Sequence, residues 1–409
     1  MKIGLFVHDF PPDFLGGTEQ VVLALAAAYR DCGHEVFVVA GSQRRDDDPN
    51  ARVEASVYEG LRVLRVLRRS DENYGIRLDW PRVGALVTEV LREERPDMIH
   101  VHHWSTLGQD LVQRAAALGI PAGTTLHDLW TSCPRFFRRP PSGVRCPLDT
   151  SRDSCVACVG IELDSHEHAW IEGEIAQRDQ GLERELHGAA FITVPSAAQR
   201  QLVERHVALK RPVEVVPHGL LAPVEGRSAG PRPGAKLRVG SFGNIVPEKG
   251  FDLLVEAMGN LGDVAELHLA GFSPHAGYVE SLSQRARSLG ISLVYHGAYG
   301  RGERHPALDI DLAVFPSLCH ESYGLVVDEA LARGVPVIVS GLGALPERAA
   351  RGGRVVRQGG VGPLAVVLAR LLRSRGELDA LRMEVPAQFL TIHDAAARYL
   401  ELFTAAGVA

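Results

Sequence analysis

The chain has 409 residues, 45% of them hydrophobic and 23% charged. That is the balance of a folded protein with material for two or three domains, and it excludes a disordered chain. Forty-four Lys+Arg against fifty Asp+Glu leave a formal charge of −6, so no global basic field points to a nucleic-acid partner. No apolar run approaches the roughly 18 residues of a membrane helix. The opening MKIGLFVHDF meets Pro11-Pro12 at once, too soon for a secretory leader. The expectation is a cytoplasmic protein, with peripheral attachment at the inner face of the membrane as the alternative to a free one.

From the start, IGLFVHDF (3–10) reads as a buried strand and 19–32 as a helix stopped by Gly33. Further strands are expected at 35–40, 62–66, 97–103 and 122–128, with helical spacing between them. Residues 221–235, LAPVEGRSAGPRPGA, have the Pro, Gly and small polar content of a linker. The same rhythm then restarts, with strands expected at 236–243, 265–272, 292–297, 309–317, 336–340 and 353–358. Strand–helix alternation implies parallel, doubly wound sheets. The predicted architecture is α/β, with two tandem Rossmann-like domains facing across a cleft. Residues 1–220 form the first domain, carrying an excursion at 131–160. Residues 221–385 form the second, and a closing helix in 386–409 is expected to pack back on the first.

Three glycine-bearing junctions lie where a strand feeds a helix. In FLGGTEQ (14–20), Gly16 and Gly17 allow close backbone approach and Thr18 is placed to cap the helix. In SFGNIVPEKGFD (241–252), Gly243 ends a strand and Lys249 projects just before Gly250 and a new helix. Lysine is scarce here, with Lys2, Lys210, Lys236 and Lys249 the only four. In PSLCHESYGLVVDEA (316–330), Gly324 opens a helix and Gly334 stops it. None matches G-x-G-x-x-G or a Walker A sequence, which argues against a nicotinamide or ATP site. Helix N-termini plus one cation suit a diphosphate. On one continuous helix Glu321 and Glu329 would lie about 80° apart. With Glu321 on the loop and Glu329 in the helix, they suit two separate hydrogen-bonding tasks along one ligand.

GGTEQVV, TLHD, VPEKG and above all ESYGLVVDEA resemble the retaining GT-B glycosyltransferases of family 4. Glu321-x7-Glu329, preceded by Pro316-Ser317, fits their E-x7-E signature. The resemblance runs along nearly the whole chain. It implies a nucleotide diphosphate sugar as donor, UDP before GDP, and a hydroxyl of a sugar, lipid-linked or small-molecule acceptor. It assigns catalytic roles to His127, Glu321 and Lys249. Glu321 would hold the donor sugar and Glu329 the ribose. Lys249 and the backbone of Ser322, Tyr323, Gly324 and Leu325 would hold the diphosphate, with Gly16 and Gly17 approaching from the first domain and His127 facing the reacting sugar. Catalysis would need no cofactor. Asn244 occupies a donor-binding position where many members carry arginine, and Pro217-His218-Gly219 stands where P-N-G is common, read here as a tolerated loop variant. The same-fold alternative is a nucleotide-sugar epimerase; the other is a silent nucleotide-sugar-binding module.

Cys133, Cys146, Cys155 and Cys158 space as C-x12-C-x8-C-x2-C, which fits a structural tetrahedral zinc. An iron–sulfur cluster and free thiols are the alternatives. Cys32 and Cys319 read as buried hydrophobes. His100 and His102 alternate onto one face and His103 onto the other, as strand-end residues rather than metal ligands. Asp309-x-Asp311 begins a buried strand and is not taken as a metal motif. Arg135-Phe136-Phe137-Arg138-Arg139 and the set Arg62, Arg65, Arg68 and Arg69 read as solvated faces, with an anionic lipid surface or a phosphorylated acceptor as the alternative.

Overall fold

In Lys2–Val7 (β1) every residue from Ile3 onward is buried and none is polar, because both faces of the strand are covered, as in the middle of a parallel sheet. The computed structural model describes the chain except for residues 43, 45–50, 69–75, 77, 79, 140–142, 144–145, 148, 162–165, 358 and 409. Arg69, Gln358 at the end of the last expected strand, and part of the cysteine-rich excursion therefore lie outside the described residues. The chain divides into two units, Met1–Ala222 with Leu390–Ala409, and Pro223–Phe389.

In the first unit β1 is followed by α1 (Gly17–Asp31), β2 (Glu35–Ala40), β3 (Arg52–Tyr58), β4 (Leu61–Leu67), α2 (Pro81–Glu94) and β5 (Met98–Val101). Then come α3 (Leu111–Ala117), β6 (Ala122–Thr125), α4 (Arg152–Gly160), α5 (His168–Gly188), β7 (Phe191–Val194), α6 (Ala197–His206) and β8 (Val213–Val215). The strands form one sheet in the order β3-β4-β2-β1-β5-β6-β7-β8, parallel throughout except that β3 returns antiparallel to β4. β3 is an edge strand whose residues are mostly exposed, so it lacks the apolar signature by which its neighbours are recognised. Gly33, at φ 83°, takes the left-handed turn that ends α1.

The excursion folds as α4 and the start of α5 around an apolar cluster of Val156, Val159, Ile171 and Ile175 with Ile76. Its arginines point inward: Arg178 lies over the Trp130 ring, and Arg138 is 2% exposed with its guanidinium on the Ser132 carbonyl. Arg65 and Arg68 are likewise buried. Arg65 reaches Asp9 Oδ1 at 3.1 Å and the Phe10 and Pro11 carbonyls at 3.0 Å, and Arg68 lies over the Trp80 ring. Of the two expected solvated basic faces, Arg65, Arg68 and Arg138 are thus internal ties, because a guanidinium can satisfy several buried acceptors at once, while Arg62 is exposed as expected. Cys32 is exposed, contrary to expectation, because it sits at the helix end beside Gly33; Cys319 is buried.

The second unit contains β9 (Leu237–Phe242), α7 (Phe251–Ala257), β10 (Ala265–Ala270), α8 (Tyr278–Ser288), β11 (Leu293–Tyr295) and β12 (Leu312–Phe315). It continues through α9 (Leu325–Ala332), β13 (Val337–Ser340), α10 (Leu345–Arg348), β14 (Gly353–Val356), α11 (Val361–Arg373) and α12 (Arg375–Met383). Its sheet, β11-β10-β9-β12-β13-β14, is wholly parallel. Asp311, buried at the start of β12, takes Arg238 Nε at 3.2 Å and Nη2 at 2.8 Å, and Asp309 pairs with Arg304. Both carboxylates of that dyad are therefore used as ion pairs.

The last helix, α13 (Ile392–Ala405), belongs to the first unit. Phe403 lies 5.3 Å from Phe191 and 6.0 Å from Tyr29, and Tyr399 lies 4.8 Å from His100, measured between rings. This covers β5 and β7 with aromatic surface. No described helix is long and apolar enough to cross a membrane.

Candidate active site

In a doubly wound sheet, ligands bind at the carboxyl ends of the strands where the strand order reverses. In the second unit that point lies between β9 and β12, and the two loops leaving these strands carry Lys249 and Glu321. Lys249 Nζ lies 2.6 Å from Glu321 Oε1, and the same oxygen accepts from Ser317 Oγ at 2.9 Å. Lys249 keeps 41% of its side-chain exposure. Partial desolvation works against its charge, but the Glu321 carboxylate more than offsets this and holds the ammonium above its usual range. Gly250, at φ 75°, lets the two loops touch: a Cβ there would lie 2.2 Å from the Pro316 carbonyl oxygen.

Gly324 sits at φ 90° as the N-cap of α9; Val327 N–H already donates to its carbonyl at 3.0 Å, and the N–H groups of Leu325 and Val326 precede the first intrahelical bond. Glu321 is on the loop and Glu329 inside the helix, with the helix start between them. Glu329 Oε2 lies 3.4 Å from His305 Nε2, and its carbonyl accepts from Arg333 Nη1 at 3.0 Å. Ser322 and Leu325 are half-buried, while Tyr323 is buried and points its hydroxyl at Asp328. Asn244 is exposed at the end of β9. A cavity of about 330 Å³ in the same unit is lined by Phe242, His268, His296, Tyr299 and Arg304, among others, and by none of these groups.

In the first unit the reversal lies between β1 and β5. Here Gly16 is the N-cap of α1, so the helix starts one residue before the expected cap, Thr18. The Gly16 N–H donates to Glu19 Oε2 at 2.9 Å. Glu19, three residues on, thus makes the reciprocal half of a capping box by accepting the N-cap N–H, a different bond from the one the Thr18 hydroxyl was expected to make. Glu19 is 1% exposed, and burial pushes its carboxyl up to about 8. His8 Nε2 lies 3.1 Å from it, and burial, with the nearby His103, holds that imidazole well below its usual range. At neutral pH the pair is therefore a carboxylic acid beside a neutral imidazole.

His127 follows β6 and is 5% exposed. Its Nε2 lies 2.7 Å from His102 Nδ1 and its Nδ1 lies 3.3 Å from His218 Nε2. Burial, then the neighbouring imidazoles, push both His102 and His127 well below the usual range. A neutral imidazole donates through one nitrogen and accepts through the other, so the N–H groups of this chain must all point one way. His218 is thus a partner of His127 rather than a loop variant without consequence, because β8 brings Pro217-His218-Gly219 beside the end of β6. On the other face His103 lies against His8, with ring centroids 4.3 Å apart and the planes tilted by 44°, and reaches Asp128 at 3.2 Å.

Among the described residues no three His, Cys, Asp or Glu side chains are grouped to hold a metal, so the placement of the four cysteines does not support the expected metal centre. Instead, guanidinium nitrogens of Arg135 and Arg152 lie 3.9 Å from the Cys158 and Cys155 sulfurs, and the apolar cluster beneath α4 holds the segment.

Residues 15–220 match the model of Glycosyltransferase Family 4, and residues 236–374 that of Glycosyl transferases group 1. The chain is 28% identical to the MMP alpha-(1->4)-mannosyltransferase of Mycolicibacterium hassiacum over 90% of its own length and 88% of that protein. Its fold is similar to sucrose-phosphate synthase from Thermosynechococcus elongatus (TM-score 0.67, 20% identity, 99% of both chains). It is also similar to Anabaena Alr3699/HepE in complex with UDP (TM-score 0.66, 16% identity, 99% of this chain and 100% of that one). With two doubly wound units and these matches along almost its whole length, the chain belongs to glycosyltransferase family 4 and has the GT-B fold.

Proposed function

We propose that the protein is a retaining glycosyltransferase that moves a hexosyl group from a UDP-sugar to a hydroxyl of a glycan, a lipid-linked sugar or a small molecule. The observation that carries this reading is the Lys249–Glu321 pair at the carboxyl edge of β9 and β12, with the start of α9 beside it. A bound diphosphate takes the Lys249 ammonium and the N–H groups of Ser322 to Leu325. Glu321 then turns to the donor sugar hydroxyls and Glu329 to the ribose. Asn244 supplies no charge, so neutralisation of the leaving diphosphate falls mainly on Lys249. As the anomeric C–O bond to the diphosphate breaks, the acceptor oxygen attacks the same face and its proton passes to the departing phosphate oxygen. His127, neutral and fixed between His102 and His218, serves the sugar being transferred. UDP is placed before GDP on the family resemblance; HepE, which has the same fold, is seen with UDP.

A thermal-shift panel of UDP-, GDP-, ADP- and TDP-sugars on wild type and Lys249→Ala tests this reading, since a ligand that binds only the native state raises its melting temperature. The expected result is a shift with UDP-sugars that is lost in the variant. A shift with GDP-sugars alone would overturn the choice of base, and a shift retained in Lys249→Ala would overturn the site.

A further inference from the structure

The donor site as described above contains a buried carboxylate that neither signature glutamate explains. Asp328 precedes Glu329 in α9, and its side chain is 3% exposed. Its Oδ1 accepts from Arg348 Nε at 3.0 Å. Its Oδ2 accepts from Arg348 Nη2 at 2.8 Å and from the Tyr323 hydroxyl at 2.8 Å. The guanidinium also lies over the Tyr323 ring, 4.6 Å from its centroid. One carboxylate thus joins three pieces of backbone: the turn before α9, α9 itself, and α10.

The segment that ends in Arg348 grips the same turn at its other end. Ala344 N–H donates to the Glu321 carbonyl at 2.8 Å, and Glu321 pairs with Gly343 as an isolated β-bridge. Gly343 is at φ 60°, and a Cβ on it would lie 2.1 Å from the Glu321 carbonyl oxygen. The Leu345 side chain closes against Gly324, where a Cβ would lie 2.8 Å from Leu345 Cδ2. The turn Glu321–Gly324 is therefore held from both ends by residues 343–348.

We infer that Arg348, acting through Asp328 and Tyr323, is a positioning residue that holds the Glu321–Gly324 turn in the geometry that receives the donor diphosphate. The inference rests on the donor-site reading proposed above. An ion pair with this little exposure is a costly way to gain stability, since well-packed apolar replacements often match or exceed it. What a bidentate fork adds is orientation: two parallel N–H···O bonds fix the angle between α10 and α9, and the tyrosine hydroxyl extends that constraint to the turn. A lysine in place of Arg348 keeps the charge and loses the fork.

The test separates position from stability. In the triple variant Tyr323→Phe/Asp328→Leu/Arg348→Met no polar group of the network is left unpaired, so the fold has no buried charge to expel. Melting temperature and calorimetric affinity for UDP and for GDP are measured on this variant, on Arg348→Lys, on Lys249→Ala and on wild type. The expected result is a melting temperature close to wild type for the triple variant and Arg348→Lys, with at least about tenfold weaker binding of the diphosphate that wild type binds. Wild-type affinity in Arg348→Lys, or in a triple variant that melts like wild type, would overturn the inference while leaving the donor site standing. If the triple variant does not fold, Arg348→Lys alone decides. Unchanged affinity in Lys249→Ala, or no binding of either diphosphate to wild type, would overturn the donor-site reading and this inference with it.

Discussion

Glu19→Gln should stabilise the protein in alkaline solution and do little in acid. The native carboxyl titrates at about 8 because burial disfavours its charge, whereas in the unfolded chain it titrates at an ordinary ~4.3. A carboxyl raised in this way contributes fully below the unfolded value, and that contribution is lost as pH rises towards the native one. Between these limits the native state retains a proton that the unfolded state releases, costing about 1.4 kcal/mol per pH unit. From pH 5.5 to 7.5 the wild type should thus lose roughly 2.7 kcal/mol relative to the glutamine variant, whose amide cannot ionise yet can still accept the Gly16 N–H. For a unit of this size that corresponds to about 5–10 °C. Scanning calorimetry of both proteins at half-unit pH steps reads it as a widening gap between two melting curves. A gap that stays flat with pH would mean that Glu19 is already ionised in the native state. The account of the Gly16–Gly17 loop as capped by a neutral acid would then fail.

Glu321→Gln removes the negative charge beside Lys249 and puts an amide N–H2 in place of one carboxylate oxygen; sugar transfer should fall at least about tenfold, or ~1.4 kcal/mol of transition-state stabilisation. Wild-type turnover in a coupled assay of released nucleoside diphosphate would refute its role. Chelation should leave the melting temperature unchanged, because apolar packing beneath α4 holds the cysteine-rich segment. A structural zinc contributes on the order of 10 kcal/mol, so a large fall in melting temperature with stoichiometric zinc released into the chelator would restore the metal reading. Anomeric configuration is read by NMR of the first product formed: retention is expected, and an inverted linkage would refute the proposed same-face attack.

Much of the fold was legible because its signals are local. Apolar runs such as Ile3–Val7 and Val36–Ala40 mark strands covered on both faces, and glycines at Gly250, Gly324 and Gly334 mark turns whose φ is positive in the structure. β3 was missed because an exposed edge strand carries no apolar run, and β7 and β8 because they are only four and three residues long. The two signature glutamates could be read because a loop-to-helix junction places them by sequence spacing alone. Asp328 could not, since nothing in the order of residues says that the position next to Glu329 is buried.

What the sequence determined by itself was therefore the layered α/β architecture and the strand-to-helix junctions that carry Lys249, Glu321 and Glu329. Each depends on contacts within a few residues of chain. Only the tertiary structure decided which side chains meet across distant segments: His218 with His127, Arg348 with Asp328, Arg65 with Asp9, and the excursion's arginines with its cysteines. These pairings follow from strand order, and desolvation then sets their charge states, so that Glu19 and His8 lie neutral while Lys249 and Arg348 hold their charges against carboxylates.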